Sequence, residues 1–171
     1  MAVHQHRLPQ MNTPSRKQFL ELTVQFKLAT EATKEALAAE YDQVVLQDAQ
    51  AKRPITSMLE FCMHRAGTAE RAHAIFNHVL KNSRISYWPN PELAAHLRDD
   101  PEIRDACARH FIVPVKASTH LLVMCGCNPY DSEGPGAVWQ KLAGSKPPFP
   151  VVALSEPDRI RQALMQFAWP V

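Results

Sequence analysis

The stretch Arg109–Pro129, RHFIVPVKASTHLLVMCGCNP, decides how the rest of the chain is read. Phe111–Val115 and Leu121–Cys125 are short apolar runs rich in Val and Ile, separated by a polar Lys-Ala-Ser-Thr-His connection. That pattern predicts a pair of sheet strands. Asn128–Gly136 then reads as a turn-rich loop, followed by a short helix with Val138, Trp139 and Leu142 inward. A second loop, Gly144–Pro150, enters a third strand, Val151–Leu154. Ser155-Glu-Pro-Asp158 is a helix start, with Ser as cap and Asp three residues on, and Ile160, Leu164 and Phe167 line the last helix. The back half therefore reads strand–strand–helix–strand–helix. A sheet of three strands cannot bury both faces by itself, so the helices encoded upstream are expected to dock beside it.

Those helices come in pairs. Phe19, Leu22 and Phe26 recur at three- and four-residue intervals and share one helix face. Thr30 reads as the cap of a second helix with Ala36/Leu37, Tyr41 and Val44/Val45 as its stripe, ended by Pro54. Ile55, Met58, Leu59 and Cys62 form the next stripe and stop at Gly67. Thr68 caps a helix whose buried face is Ala72, Ile75, Phe76, Val79 and Leu80. Helix, Thr-capped turn, helix is thus stated twice. Ile85–Trp88 is short and β-prone, and Asn90-Pro91 and Asp100-Pro101 are two helix starts of the cap-plus-proline kind. The expected organisation is a leader (1–13), a helical subdomain of two helix-turn-helix modules (14–84) and an α/β subdomain with a three-stranded sheet (85–171), an α+β fold.

With 171 residues and 46% hydrophobic content, the chain can build one sizeable core. Nineteen basic and 17 acidic residues leave a formal charge of +2, and the cations are scattered, which argues against nucleic acid as partner. No apolar run approaches the ~18 residues a membrane span needs, and residues 1–10 lack a signal peptide's apolar core. Four cysteines without framework spacing suit free thiols in a reducing compartment. A cytoplasmic location is expected.

Chemistry-bearing motifs are scarce. Cys125-Gly-Cys127, with His110 and His120 nearby in sequence, is the best metal candidate, but zinc sites take two paired knuckles and here there is one; structural cysteine is the better reading. Gly144-Ser-Lys146 is followed by Pro147-Pro148, which breaks the helix a phosphate loop requires. No G-x-S-x-G elbow is present. His4 and His6 fall in the leader, and His73 and His78 are five apart, off a shared helix face. No catalytic residue, metal or resident cofactor is expected, and the chain is read as a non-enzyme. Trp88, Tyr130 and Trp139 are the candidate interface aromatics.

Taken together, Arg16–Phe167 resembles the N-terminal domain of type II secretion and type IV pilus assembly ATPases. The resemblance is carried by Leu28-Ala-Thr30-Glu and Gly67-Thr68-Ala-Glu at the helical turns, by Phe111-Ile-Val113-Pro114-Val115 and Leu121-Leu-Val123-Met-Cys-Gly-Cys-Asn128-Pro129 in the strand pair, and by Val151-Val-Ala-Leu154-Ser155-Glu-Pro-Asp158-Arg-Ile160 at the last strand and helix. It implies a module without chemistry of its own that docks on a protein partner of a secretion or pilus machinery, touching the membrane only through that partner. It also implies, as an alternative, a sensor for cyclic di-GMP. Nucleotide-binding members begin each helical module with Arg-Leu-Gly-x-x-Leu. The matching starts here are Gln18-Phe19-Leu20-Glu-Leu22 and Arg53-Pro54-Ile55-Thr56-Ser-Met58, which keep one arginine and replace both glycines. Gln18, Phe19, Arg53, Ile55 and Met58 are the ligand-contact candidates this implies. The ATPase half of such proteins has no counterpart in these residues.

Overall fold

Apolar periodicity places the helices of the front half. The computed structural model describes residues 13–131 and 133–170; the expected leader, with His4 and His6, lies outside them except for Thr13, the first residue of α1 (Thr13–Gln25). Phe19 and Leu22 of α1 are buried. The helix ends where Lys27 takes a φ of 58° and the N–H groups of Leu28 and Ala29 both donate to the Thr23 carbonyl. α2 (Lys34–Gln50) buries Leu37, Tyr41 and Val45. It starts a turn later than expected, and Thr30 opens the lead-in turn instead. The Thr30 N–H donates to Thr33 Oγ1 at 2.9 Å, and the Thr30 carbonyl accepts from Thr33 and Lys34.

α3 (Met58–Arg65) is capped by Ser57, whose Oγ accepts from the Glu60 N–H at 3.1 Å. Gly67, at φ +83°, takes the left-handed conformation that lets the chain reverse. Thr68 then caps α4 (Ala69–Ser83) by accepting from the Arg71 N–H. Beyond α4, Ser86–Trp88 runs alongside the sheet but makes a single parallel bridge, Tyr87 with Leu154.

Of the two cap-plus-proline starts, only the second opens an α-helix. Asp100 accepts from the Glu102 and Ile103 N–H groups and starts α5 (Pro101–His110). After Asn90-Pro91, tertiary acceptors win: Leu93 N–H donates to Gln166 Oε1 at 2.7 Å and Ala94 N–H to the Pro114 carbonyl at 2.9 Å. A single 3₁₀ turn, Ala95–Leu97, is all that forms there.

Phe111, with φ 54°, turns the chain from α5 into β1 (Val113–Ala117), so that strand begins two residues inside the apolar run. β2 (Leu121–Gly126) pairs antiparallel with β1 and parallel with β3 (Phe149–Leu154), which begins two residues earlier than expected. The order among the described residues is β1-β2-β3. α6 (Glu133–Leu142) makes the crossover between β2 and β3. It takes up the last four residues of the segment expected to be loop, because Asp131 Oδ1 accepts from both Glu133 and Gly134 at 3.0 Å and Pro135 is tolerated in a first turn. α7 (Pro157–Leu164) is preceded by Glu156 as cap residue. Ser155 does not cap it: its N–H still belongs to the sheet, donating to the Gly126 carbonyl at 2.9 Å.

The α+β class expected from sequence is the one observed. One continuous apolar cluster runs from Phe19 and Phe76 in the helical half to Met124, Ile160 and Phe167 in the sheet half, so the two halves bury each other's apolar faces.

Candidate functional site

Of the two outer strands of the sheet, β1 and β3, it is β3 that carries large exposed apolar side chains. Among the described residues, β2 is paired on both sides, but β3 is paired only with β2, apart from the bridge at its last residue. Phe149 N–H donates to the His120 carbonyl and Ser155 N–H to the Gly126 carbonyl, both toward β2, whereas Leu154 N–H donates outward to the Ser86 carbonyl. Alternation along the strand therefore turns the N–H and C=O of Val152 and the C=O of Pro150 away from the sheet. Phe149 and Val151 share a sheet face and are 70% and 37% exposed, and Tyr87 beyond them is 41% exposed. Large apolar side chains in a row on an open edge are what natural sheets usually avoid.

Two of the three candidate interface aromatics frame this strand. Trp139 Nε1 donates to the Pro148 carbonyl at 2.9 Å, fixing the loop just before Phe149. Trp88 N–H donates to the Leu154 carbonyl at 2.7 Å at the other end. Both rings are half-buried against the core, so they brace β3 rather than present it. Tyr130 lies elsewhere, edge-on to Phe19 with ring centroids 5.7 Å apart. Phe149 itself was missed as a site residue. Its signal was Pro150, since a proline inside a strand marks an edge.

The module starts are dispersed. A groove of about 330 Å³ between α1 and α2 is lined by Arg16, Lys17, Leu20, Glu21, Lys34 and Glu35. Its cations have carboxylate neighbours: Arg16 with Asp42 at 3.3 Å and Lys34 with Glu31 at 2.6 Å. The Glu31 hydrogen bond raises the Lys34 pKa. Gln18 is exposed on α1, while Phe19 faces the core. In the second module Ile55 and Met58 are buried. Arg53 is held by Asp48, whose other oxygen accepts from the Thr56 N–H at 2.8 Å and its hydroxyl at 2.6 Å. None of Arg53, Ile55 and Met58 lines the groove.

A polar seam joins the halves. Arg161 of α7 donates to both oxygens of Glu60 on α3, at 3.1 and 2.7 Å, and its guanidinium lies 5.2 Å from the Phe111 ring centroid. Burial works against the Arg161 charge, but the Glu60 hydrogen bonds and charge outweigh it and its pKa goes up. Beside the pair, Cys127 Sγ donates to Ser57 Oγ at 3.1 Å. All four cysteines are free and buried. Burial pushes the thiols of Cys62, Cys125 and Cys127 up to about 12, and that of Cys107 upward too. Thiols so shifted are poor nucleophiles. Burial likewise lowers the His110 pKa. Among the described residues no three His, Cys, Asp or Glu side chains gather into a metal-holding group, and no helix is long and apolar enough to cross a membrane.

No protein-family model matches the chain, and no curated protein matches it. Among solved structures, it is similar to a structure of MshE with cdg, at a TM-score of 0.48 and 10% identity, covering 88% of this chain and 98% of that one.

Proposed function

We propose that this chain is a non-catalytic interaction and regulatory module, related to the N-terminal domains of secretion and pilus assembly ATPases, that docks on a protein partner of an envelope machinery. The observation that carries the docking is the outer edge of β3, where outward-facing backbone groups of Pro150 and Val152, without a partner among the described residues, lie beside exposed Phe149 and Val151. An open edge pairs readily with another chain. The order of elements, two helix pairs, the β-prone segment at Tyr87, a proline-started helix and then strand–strand–helix–strand–helix, is the order that the sequence resemblance implies. Any membrane association runs through the partner. The test is capture from native cell extract with the tagged chain. Recovery of a secretion, pilus or envelope component supports the reading. Clean recovery of unrelated proteins alone discards it.

A second reading, cyclic di-GMP sensing by the helical modules, is favoured by the groove beside Arg16, Lys17 and Lys34. Gln18, Phe19, Arg53, Ile55 and Met58 are the contact residues it would use. With Phe19, Ile55 and Met58 buried, Gln18 and Arg53 are the ones a ligand reaches without repacking. Leu20 and Ile55 stand where nucleotide-binding relatives carry glycine, so the ligand would sit further from the backbone. Calorimetry decides it: no heat at about 100 μM nucleotide rejects the sensor.

A further inference from the structure

Resting on the interaction reading above, we infer the chemistry of the segment that the β3 edge accepts: an extended peptide strand, apolar where it meets Phe149 and Val151 and carrying carboxylates at the end nearest Lys146. Three observations converge on this occupant.

The first is the backbone. Val152 N–H, Val152 C=O and Pro150 C=O face outward, and Pro150 has no N–H to offer. These groups satisfy one short strand with three hydrogen bonds, whether it runs parallel or antiparallel. The second is the boundary. Ser86–Trp88 already occupies the edge at Leu154. A second copy of this chain, laid antiparallel about Val152, would place its own Pro150 against Leu154, where Tyr87 sits. In that register the edge refuses its own twin, whereas it admits a peptide that ends or turns away at Tyr87. Its remaining length projects past Phe149, toward the 143–148 loop and the 118–120 turn.

The third is charge. No Asp or Glu occurs between Asp105 and Asp131, nor between Glu133 and Glu156, and those two intervals contain the whole sheet. Lys116 stands in the same register row as Val123 and Val151 and on their face. Lys116, His120 and Lys146 are all exposed, and Lys116 and Lys146 form none of the ion pairs among the described residues. The open end of the sheet thus offers apolar surface flanked by two lysines, Lys116 and Lys146, that make no ion pair among the described residues, which attracts an acidic partner and repels a basic one.

Fluorescence polarisation with labelled octapeptides of alternating Val and Thr tests this directly, with one series flanked by two Glu and the other by two Lys. The Glu-flanked peptide should bind at about 10–500 μM, the weak range expected of so small a contact. The Lys-flanked peptide should bind at least about fivefold more weakly, and about 0.5 M salt should erase that difference. Phe149→Asp should weaken the Glu-flanked peptide by about tenfold or more. Val152→Pro, which removes one outward donor, should weaken both peptides with the circular dichroism spectrum unchanged. The inference is overturned by binding of neither peptide, by equal binding of both at low salt, or by an undiminished affinity in Phe149→Asp. It is also overturned if the protein sediments with phosphatidylserine vesicles through Phe149 while ignoring both peptides, since the patch would then be a lipid contact. If peptides fail but the chain still captures its envelope component, with Phe149→Asp as competent as the native sequence, only this inference falls. If no such component is captured at all, the interaction reading falls with it.

Discussion

Replacing Arg161 with Ala should be among the most destabilising changes available on this molecule's polar surface. Glu60, the partner, has a side chain only 3% exposed, and both of its oxygens take Arg161 hydrogen bonds. Removing one member of a buried pair strands the other's charge and costs roughly 3–5 kcal/mol. Arg161 is itself 31% exposed, so water can enter the vacated place and the lower end applies, about 3 kcal/mol. Loss of the guanidinium over the Phe111 ring adds roughly 0.5–1 kcal/mol. Against a total stability of about 5–15 kcal/mol, that is a large fraction. Urea unfolding should show a lower midpoint with an unchanged slope. Because Glu60 lies on α3 and Arg161 on α7, both halves should still unfold in one transition. Glu60→Ala with Arg161→Ala should recover about 2 kcal/mol relative to the sum of the single changes. A loss under about 1 kcal/mol for Arg161→Ala, with additive behaviour in the double variant, would refute the reasoning and demote the pair to a solvated contact.

The four buried thiols should react with a disulfide reagent far more slowly in the native protein than in urea at pH 8, and a thiol that is modified at the unfolded rate would contradict their burial. Since burial raises the folded thiol pKa values above the ordinary 9.0, to about 12 for Cys62, Cys125 and Cys127, their contribution to stability is full below pH 9. It is lost as pH climbs from there toward 12, so the urea midpoint should fall steadily over that window. Gly134→Ala should destabilise by about 1–3 kcal/mol, read by thermal unfolding, because the added carbon meets Asp131 Oδ2 and stands 2.9 Å from Ile112 Cδ1 and 3.0 Å from His110 Cβ; a neutral result would show that the α5–α6 contact yields. Asp100→Ala removes the acceptor for two N–H groups at the start of α5 and should cost about 1 kcal/mol by the same assay.

How much of this could be read from residues alone depended on whether the deciding contact was local. The helix pairs were legible because Phe19/Leu22, Leu37/Tyr41/Val45 and Ile75/Phe76/Val79 repeat within one helix turn, and Thr68 and Asp100 cap their own next turn. The sheet was legible because its strands are continuous apolar runs. What failed was decided at long range or by backbone conformation. Asn90-Pro91 has every local mark of a helix start, but Gln166 and Pro114 lie far along the chain and claim its amides. Ser155-Glu-Pro-Asp158 has the spacing of a capping box, but the Ser155 amide is still held by β2. Gly134-Pro-Gly136 looks like a loop until Asp131 supplies the cap. The candidate site was only half legible. Trp88 and Trp139 were singled out as aromatics, yet they support the strand, and the exposed residue between them, Phe149, was assigned to the loop ahead of it. Strand ends are set by pairing with a neighbour, which no local pattern encodes.

The measurement that bears most directly on the central claim is amide hydrogen exchange at Val152, with and without the captured partner. In the free protein this amide should exchange quickly while those of Met124 and Cys125, inside the ladder, stay protected. Addition of the partner should slow Val152 by about tenfold or more and leave α1 and α2 unchanged. Slowing confined to α1 and α2, with Val152 unaffected, would place the contact on the helical half and contradict the claim that this edge is where the molecule docks.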